Sequence, residues 1–184
     1  LEALGIPAAV ADVMTAHLGN GIHLYENGII SFANQLAVDC GVAPGMSVKD
    51  AAFLLLEQEA QNATASEITN RTVMETSPDG RHVIATDSIA FGTDEDTGKN
   101  VLVTAGHTGR SSVPYLLGCR PWGFICSDGG RGKDDSGMSG LFIVEDQGLA
   151  GATVDARYAR MGSGLSHYHD GVITGANKHA LAKQ

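Results

Sequence analysis

The fold is decided by residues 100–154, which read NVLVTAGHTGRSSVPYLLGCRPWGFICSDGGRGKDDSGMSGLFIVEDQGLAGATV. Three short apolar runs, over residues 101–103, 122–126 and 149–154, have strand length and carry no polar side chain on either face except Thr153. Between them, residues 111–117 and 136–147 show helical patterns. Apolar strands separated by helices form right-handed βαβ units. The sequence therefore predicts an α/β fold, with a mostly parallel sheet and helices on both faces.

The flanking sequence predicts further elements. Towards the amino terminus we expect a helix over 6–18 that ends at glycine, a strand over 22–25, and a strand continuing as a helix over 29–40. A helix capped by Ser47 that includes 51–56 should follow. After it we expect a polar segment over 62–80 ending in a turn, and a strand over 82–91. A closing helix is expected over 172–183.

The length and composition favour one domain. The chain has 184 residues, of which 43% are hydrophobic and 18% charged, so it can bury a core of its own. We expect a single α/β domain over 1–184. In it, an acidic, helix-rich α+β portion over 1–80 packs on a parallel-sheet portion over 81–184 that carries the site.

Charge and cysteine content limit the partners and the compartment. A net charge of −9 argues against broad surfaces for nucleic acid or an anionic membrane, so neither is expected as a partner. The three cysteines, Cys40, Cys119 and Cys126, form no C-x-x-C pair, which favours a reducing, cytoplasmic location over a disulfide framework. Only the general frequency of homo-oligomers favours self-association.

The predicted site lies where the strands end. In an open parallel sheet the ligand binds beyond the carboxyl ends of the strands, which here lead into the loops 104–112, 127–136 and 155–170. These loops hold five of the chain's 12 cationic side chains, namely Arg110, Arg131, Lys133, Arg157 and Arg160. Positive charge concentrated in an acidic protein predicts a pocket for a small anion, either a carboxylate or a phosphate.

The second of these loops, residues 127–136, is rich in glycine and is the strongest single signal for an anion site. Its glycines let backbone amides turn towards a ligand, beside the predicted start of a helix. It departs from the Walker pattern because Lys133 is followed by Asp134 rather than by a hydroxyl. A simpler interpretation, left open here, is that this segment only caps the helix. The predicted substrate-binding residues of the three loops are Ser111, Ser112, Gly129, Gly130, Arg131, Gly132, Ser136, Arg157, Arg160 and Ser163.

Acid/base chemistry is predicted from the titratable groups in these loops. His107 follows a strand, and Asp128 and Asp155 each end one, while Lys133 adds a cation. These four residues are the predicted catalytic set. The sequence thus predicts an enzyme of the hydrolase or lyase type that acts on a small anionic metabolite and that requires no cofactor.

Three alternatives stay open at this point. The chain could be a non-catalytic module that binds an anionic effector or partner. It could be a divalent-metal-dependent hydrolase, because His167 and His169 would point the same way on a strand, with Asp128 or Asp155 nearby. Cys126 could be a nucleophile beside the glycine loop, or a small core residue.

Overall fold

The structure, a computed structural model, describes residues 1–59 and 70–183. The chain divides into two compact units. The first comprises Leu1–Glu67 and Gly132–Asp134, and the second comprises Ile68–Arg131 and Asp135–Gln184. The expectation of a single domain over 1–184 stays a prediction.

The first unit combines a small antiparallel sheet with short helices. Its elements are β1 (Ala9–Ala11), α1 (Gly21–Asn27), β2 (Ile30–Ala33), α2 (Gln35–Asp39) and α3 (Val48–Leu56). Strands β1 and β2 pair antiparallel, and their core contains Ile30, Ala37, Val42 and Ala51. Asn34 connects strand and helix, because its side chain accepts hydrogen bonds from Ala8 N and from Ala37 N.

Two of the predicted elements in this unit are wrong and two are confirmed. The helix over 6–18 is replaced by β1, in which Val10 pairs with Phe32 of β2, so cross-strand pairing overrides the helical spacing. The strand over 22–25 is helix α1, capped by the Asn20 side chain. The strand followed by a helix within 29–40 is confirmed by β2 and α2, and Ser47 caps α3 as predicted.

The second unit is built on a six-stranded, mostly parallel sheet, which confirms the α/β fold class. The strands stand in the order of their numbers, with β4 to β7 parallel and the edge strands β3 and β8 antiparallel to their neighbours. The elements are β3 (Arg71–Thr76), β4 (His82–Thr86), β5 (Val101–His107), α4 (Val113–Cys119), β6 (Gly123–Ser127), α5 (Ser139–Glu145), β7 (Gly151–Val154), α6 (Gly164–Asp170), β8 (Ile173–Ala176) and α7 (Lys178–Leu181).

Helices cover the two faces of this sheet differently. Leu102 and Phe124 pack with Leu116 of α4 and Leu141 of α5 in the main core. The neighbouring residues of these strands point to the opposite face, where α6 contacts β4 and β5. Gly164 permits this close approach, because a Cβ there would lie 2.4 Å from Thr86 O.

Four predicted segments in this unit need correction. The closing helix over 172–183 is wrong, since it is β8 followed by α7, and Ala176 pairs with Ala152. The strand over 82–91 ends at Thr86, and a 3₁₀ turn follows over Ile89–Phe91. The helix over 136–147 begins as the 3₁₀ helix Lys133–Met138 before α5. Of the polar segment 62–80, residues 62–69 lie outside the described residues and the rest forms β3 and a turn.

Candidate functional site

The loops after β5, β6 and β7 lie side by side at the carboxyl edge of the sheet. The amide and the hydroxyl of Thr108 both donate to Ser127 O, at 2.9 Å each. The Ala156 amide donates to Asp128 Oδ1 at 3.0 Å. These bonds join the three segments at one edge.

Asp128 is a buried carboxylate of this edge that is held by backbone amides. The residue is only 2% exposed, and its Oδ1 accepts hydrogen bonds from Gly130 N at 2.9 Å and from Ala156 N. Within residues 1–59 and 70–183, no group donates a hydrogen bond to Oδ2. Gly129 and Gly130 both have positive φ, the conformation that turns the backbone back towards the carboxylate. Asp128 is therefore a fixed carboxylate with one oxygen left for a ligand.

His107 lies at the end of β5 and is half-buried. The Gly109 amide donates to its Nδ1 at 2.9 Å, so the neutral ring carries its hydrogen on Nε2. Burial lowers the pKa of His107 and favours this neutral form. Gly109 is needed here, because a Cβ would lie 2.7 Å from His107 Nδ1. His107 can thus offer an N–H to a ligand.

Asp155, the second predicted carboxylate, is paired with a residue of its own loop. Arg157 donates to both of its carboxylate oxygens, with the shortest bond at 2.6 Å from Nη2 to Oδ2. Hydrogen bonds from the Arg157 side chain and backbone lower the pKa of Asp155, which keeps it ionised. Asp155 therefore serves to position Arg157, and both of its carboxylate oxygens are already bonded.

Much of the positive charge in the three loops is compensated locally. Arg131 is bonded to Asp135 at 2.7 Å, and Lys133 Nζ lies 3.9 Å from Asp134. Arg110 and Arg160, both exposed, form no ion pair within the described part of the chain. These two arginines are the cations of the loops that have no carboxylate partner there.

The glycine-rich loop is divided between the two units. Gly132 and Lys133 belong to the first unit, where the Lys133 amide donates to Val13 O at 2.8 Å. Asp134 of the same segment accepts a hydrogen bond from His17 Nε2 at 2.8 Å. Gly129, Gly130 and Arg131 belong to the second unit.

The predicted serines are mostly structural. Ser112 is 4% exposed and its hydroxyl donates to Gly109 O, while Ser163 caps α6 by accepting from Ser166 N. Ser136 is buried in the 3₁₀ helix before α5, and Ser111 is exposed at the turn before α4. Ser111 is thus the most exposed of the four serines, and Ser163 is half-buried.

Cys126 belongs to the core rather than to the site. It is fully buried among the residues between the sheet, α4 and α5, and Thr104 Oγ1 donates to its sulfur. Burial raises the pKa of the Cys126 thiol to about 11. A thiolate nucleophile at this position is incompatible with these surroundings.

The paired histidines lie on a helix. His167 and His169 are both in α6, not on a strand, so two residues of helical rotation place them on different sides. His167 is buried and His169 is exposed. The described residues contain no cluster of three or more His, Cys, Asp or Glu side chains arranged to hold a metal ion.

Asp87 is a carboxylate of this edge that the sequence analysis missed. It follows β4 and accepts hydrogen bonds from Gly164 N and from the Asn70 side chain, so it connects the end of β4 to the start of α6. The signal was the polar pair Asp87-Ser88, which interrupts the apolar run over 82–91.

Comparisons with known proteins identify no relative of this chain. No protein-family model matches it, and neither a curated protein nor a solved structure does. Among the described residues, none of the helices has the length and apolar character needed to cross a membrane.

Proposed function

We propose that the second unit is an enzyme of the hydrolase or lyase type that acts on a small anionic metabolite by acid/base chemistry. The observation that carries this proposal is the state of Asp128. It is a buried carboxylate held at one oxygen by two backbone amides, with the other oxygen unbonded within the described residues. A group fixed in this way is suited to accept a proton from a bound ligand.

His107 supplies the complementary group in this proposal. Its Nδ1 is occupied by the Gly109 amide, so Nε2–H is available to polarise a carbonyl or phosphoryl oxygen of the substrate. Asp128 Oδ2 acts as the base. The sequence alone leaves the direction of proton movement at His107 open, and the hydrogen bond from the Gly109 amide favours a donor.

The exposed arginines support an anionic substrate. Arg110 and Arg160 lie in the loops after β5 and β7 and are not neutralised by a carboxylate in the described part of the chain. They would attract a carboxylate or phosphate to an otherwise acidic protein. The alternative of a non-catalytic anion-binding module is less well supported, because such a site gains nothing from a buried carboxylate with an open oxygen.

Replacement of Asp128 by Asn tests the proposal. The amide oxygen of Asn can still accept from Gly130 N and Ala156 N, so the loop is expected to keep its shape while the base is lost. We expect hydrolysis of 4-nitrophenyl acetate or 4-nitrophenyl phosphate to fall on the order of 10²-fold or more, and a similar fall for His107→Gln. Asp146→Asn, at the exposed end of α5, is the matched control.

Binding measurements separate the alternatives. Calorimetric titration of the wild-type protein with succinate and with orthophosphate should show binding of at least one anion, weakened in Arg110→Gln and Arg160→Gln. Binding of an anion without turnover of any ester would exclude the hydrolase and leave the lyase and the non-catalytic module. Turnover that is equal in Asp128→Asn and in the control would remove Asp128 from the mechanism.

A further inference from the structure

A pocket lies at the amino edge of the six-stranded sheet, at the opposite end of the strands from the candidate site. It has a volume of about 280 Å³, close to the lower limit of small-molecule pockets, which are roughly 300–1,000 Å³. Its floor is formed by residues near the start of β5, β6 and β7 together with one residue of α7. These residues are Val101, Gly123, Ile125, Gly151, Ala152 and Ala180. The floor is therefore apolar.

Small residues leave space in this floor. Gly123 pairs with Val101, and Ala152 pairs with Ile125, so each larger side chain lies beside a small one. A Cβ on Gly123 would make only ordinary contacts, with Val101 Cγ2 3.9 Å away. The hollow can thus hold a hydrocarbon chain, whose removal from water is favourable.

Two cationic side chains meet on one indole ring at the rim of this pocket. Lys183 Nζ lies 3.1 Å from the centroid of the Trp122 ring, and Arg81 Cζ lies 3.7 Å from it. Trp122 and Lys183 both line the pocket and are both exposed, which places them at its rim. No Asp or Glu side chain lines the pocket among the described residues. The rim is therefore positively charged, whereas the floor is apolar.

The two cations differ in their ionic partners. Arg81 is paired with Asp79, with 3.1 Å between Nε and Oδ2. Lys183 Nζ donates to Trp122 O at 3.1 Å, and no carboxylate in the described part of the chain lies within ion-pair distance of it. Partial burial and, second, the charge of Arg81 lower the pKa of Lys183, so its surroundings disfavour the charged form. An ammonium group has three donors, so Lys183 retains donors for an anion that would offset this effect.

We propose that this pocket binds a small carboxylic acid with a short, unbranched hydrocarbon chain, whose carboxylate accepts hydrogen bonds from Lys183 Nζ and whose chain lies on the apolar floor. Charge complementarity selects this occupant, because a carboxylate at the rim compensates two like charges that the protein holds close together. A neutral molecule of the same shape would fill the floor and leave that repulsion in place. The site is separate from the carboxyl edge and does not depend on the function proposed there.

Three probes separate the two parts of this assignment. Hexanoate carries both the charge and the chain, hexanamide keeps the chain without the charge, and acetate keeps the charge without most of the chain. Trp122 is the single tryptophan of the chain and lines the pocket, so its fluorescence reports binding to the full chain directly. Hexanoate should bind most tightly of the three. Added salt should weaken the binding of hexanoate but not that of hexanamide.

Lys183→Met tests the rim. The affinity for hexanoate relative to hexanamide should fall about five-fold, which corresponds to ~1 kcal/mol for a partly exposed ion pair. Lys178→Met is the matched control, because Lys178 lies five residues earlier, is paired with Glu145 at 3.4 Å and does not line the pocket. In that control the relative affinity should stay as in the wild type.

Gly123→Val tests the floor. The added side chain would fill the hollow beside Val101, so the affinities for hexanoate and for hexanamide should both fall while their ratio is kept. This pattern is the opposite of the one expected for Lys183→Met.

Four results would overturn the proposal. One is the absence of any fluorescence response to hexanoate. Another is equal affinity for hexanoate and hexanamide in the wild type. The third is a relative affinity that Lys183→Met leaves unchanged. The fourth is a Trp122 emission that changes with protein concentration in the absence of probe, because a second copy of the chain would then cover this surface.

Discussion

The two faces of the six-stranded sheet differ in how completely they are covered. On one face, α4 and α5 pack against Leu102 and Phe124, which are 0% and 2% exposed. On the other, the short helix α6 leaves Val83, Val101 and Ile125 half-buried around a cavity. Parallel strands are normally covered on both faces. The first face is therefore expected to contribute most of the stability, whereas the second borders open space.

Each face also holds a buried polar group, and the two groups differ in how completely they are hydrogen-bonded. Asp96 lies in the 3₁₀ turn Asp94–Asp96, which contacts α4, and it accepts hydrogen bonds from Arg71, Asn100 and the Thr93 amide. His167, on the other face, has a partner at Nδ1 and none at Nε2 in the described residues. Asp96 has a structural role, because both of its carboxylate oxygens accept hydrogen bonds from the protein. His167 keeps one buried nitrogen without a partner among the described residues.

The largest expected effect comes from truncating adjacent residues of β6 that point to opposite faces. Phe124→Ala should lower the free energy of unfolding by about 3–5 kcal/mol, because it leaves a cavity in the closed core. Ile125→Ala should cost less, about 1–2 kcal/mol, because that side chain already borders open space. Urea denaturation followed by the fluorescence of Trp122, the single tryptophan of the chain, measures both in the second unit. Equal losses would refute the difference between the faces.

The next largest effect concerns the buried ion pair between Arg71 and Asp96. Arg71→Met should cost about 3 kcal/mol near neutral pH, because it leaves the carboxylate of Asp96 buried with fewer donors. Burial alone would raise the pKa of Asp96, but the bonds from Arg71, Asn100 and Thr93 outweigh burial and lower it.

This lowered pKa sets the pH dependence of that effect. The stabilisation is present above the unfolded pKa, near 3.8, and is lost as the pH falls through the lower folded value. The difference between the wild type and Arg71→Met should therefore shrink below pH 3.8. Urea titrations at a series of pH values measure this difference, and a gap that is constant with pH would contradict the assignment.

The smallest expected effect is at His167. His167→Leu should change the stability by less than about 1 kcal/mol or should increase it, since it replaces an unpaired buried nitrogen by an apolar group. The same urea titration measures it, with His169→Leu as the control. A loss as large as that of Phe124→Ala would mean that His167 has an essential structural partner.

The predictions from sequence succeeded where the signal was local and periodic. Ser47 was identified as a cap because a helix terminus needs an acceptor for its free amides, and the structure shows the bond from Asp50 N. The three apolar runs of residues 100–154 became β5, β6 and β7 because uniformly apolar segments of strand length are suited to the interior of a parallel sheet.

The failures share a different cause. Residues 9–11 and 173–176 became strands because a distant strand was available to pair with, Val10 with Phe32 and Ala176 with Ala152. Edge pairing of this kind leaves little periodic trace in the sequence. In the candidate site, the positions of His107, Asp128 and Asp155 at strand ends followed from the pattern, whereas their hydrogen-bond partners did not.

The sequence by itself determined the α/β class and the succession of central strands, since burial on both faces requires apolar residues at every position of those strands. Only the tertiary structure decided which charged side chains have no partner of opposite charge and so remain available to a ligand. Arg157 and Asp155 are two residues apart in the chain, and their pairing depends on side-chain directions. The tertiary structure alone also revealed the cavity beside His167, because it lies between five strands and a helix that are far apart in the chain.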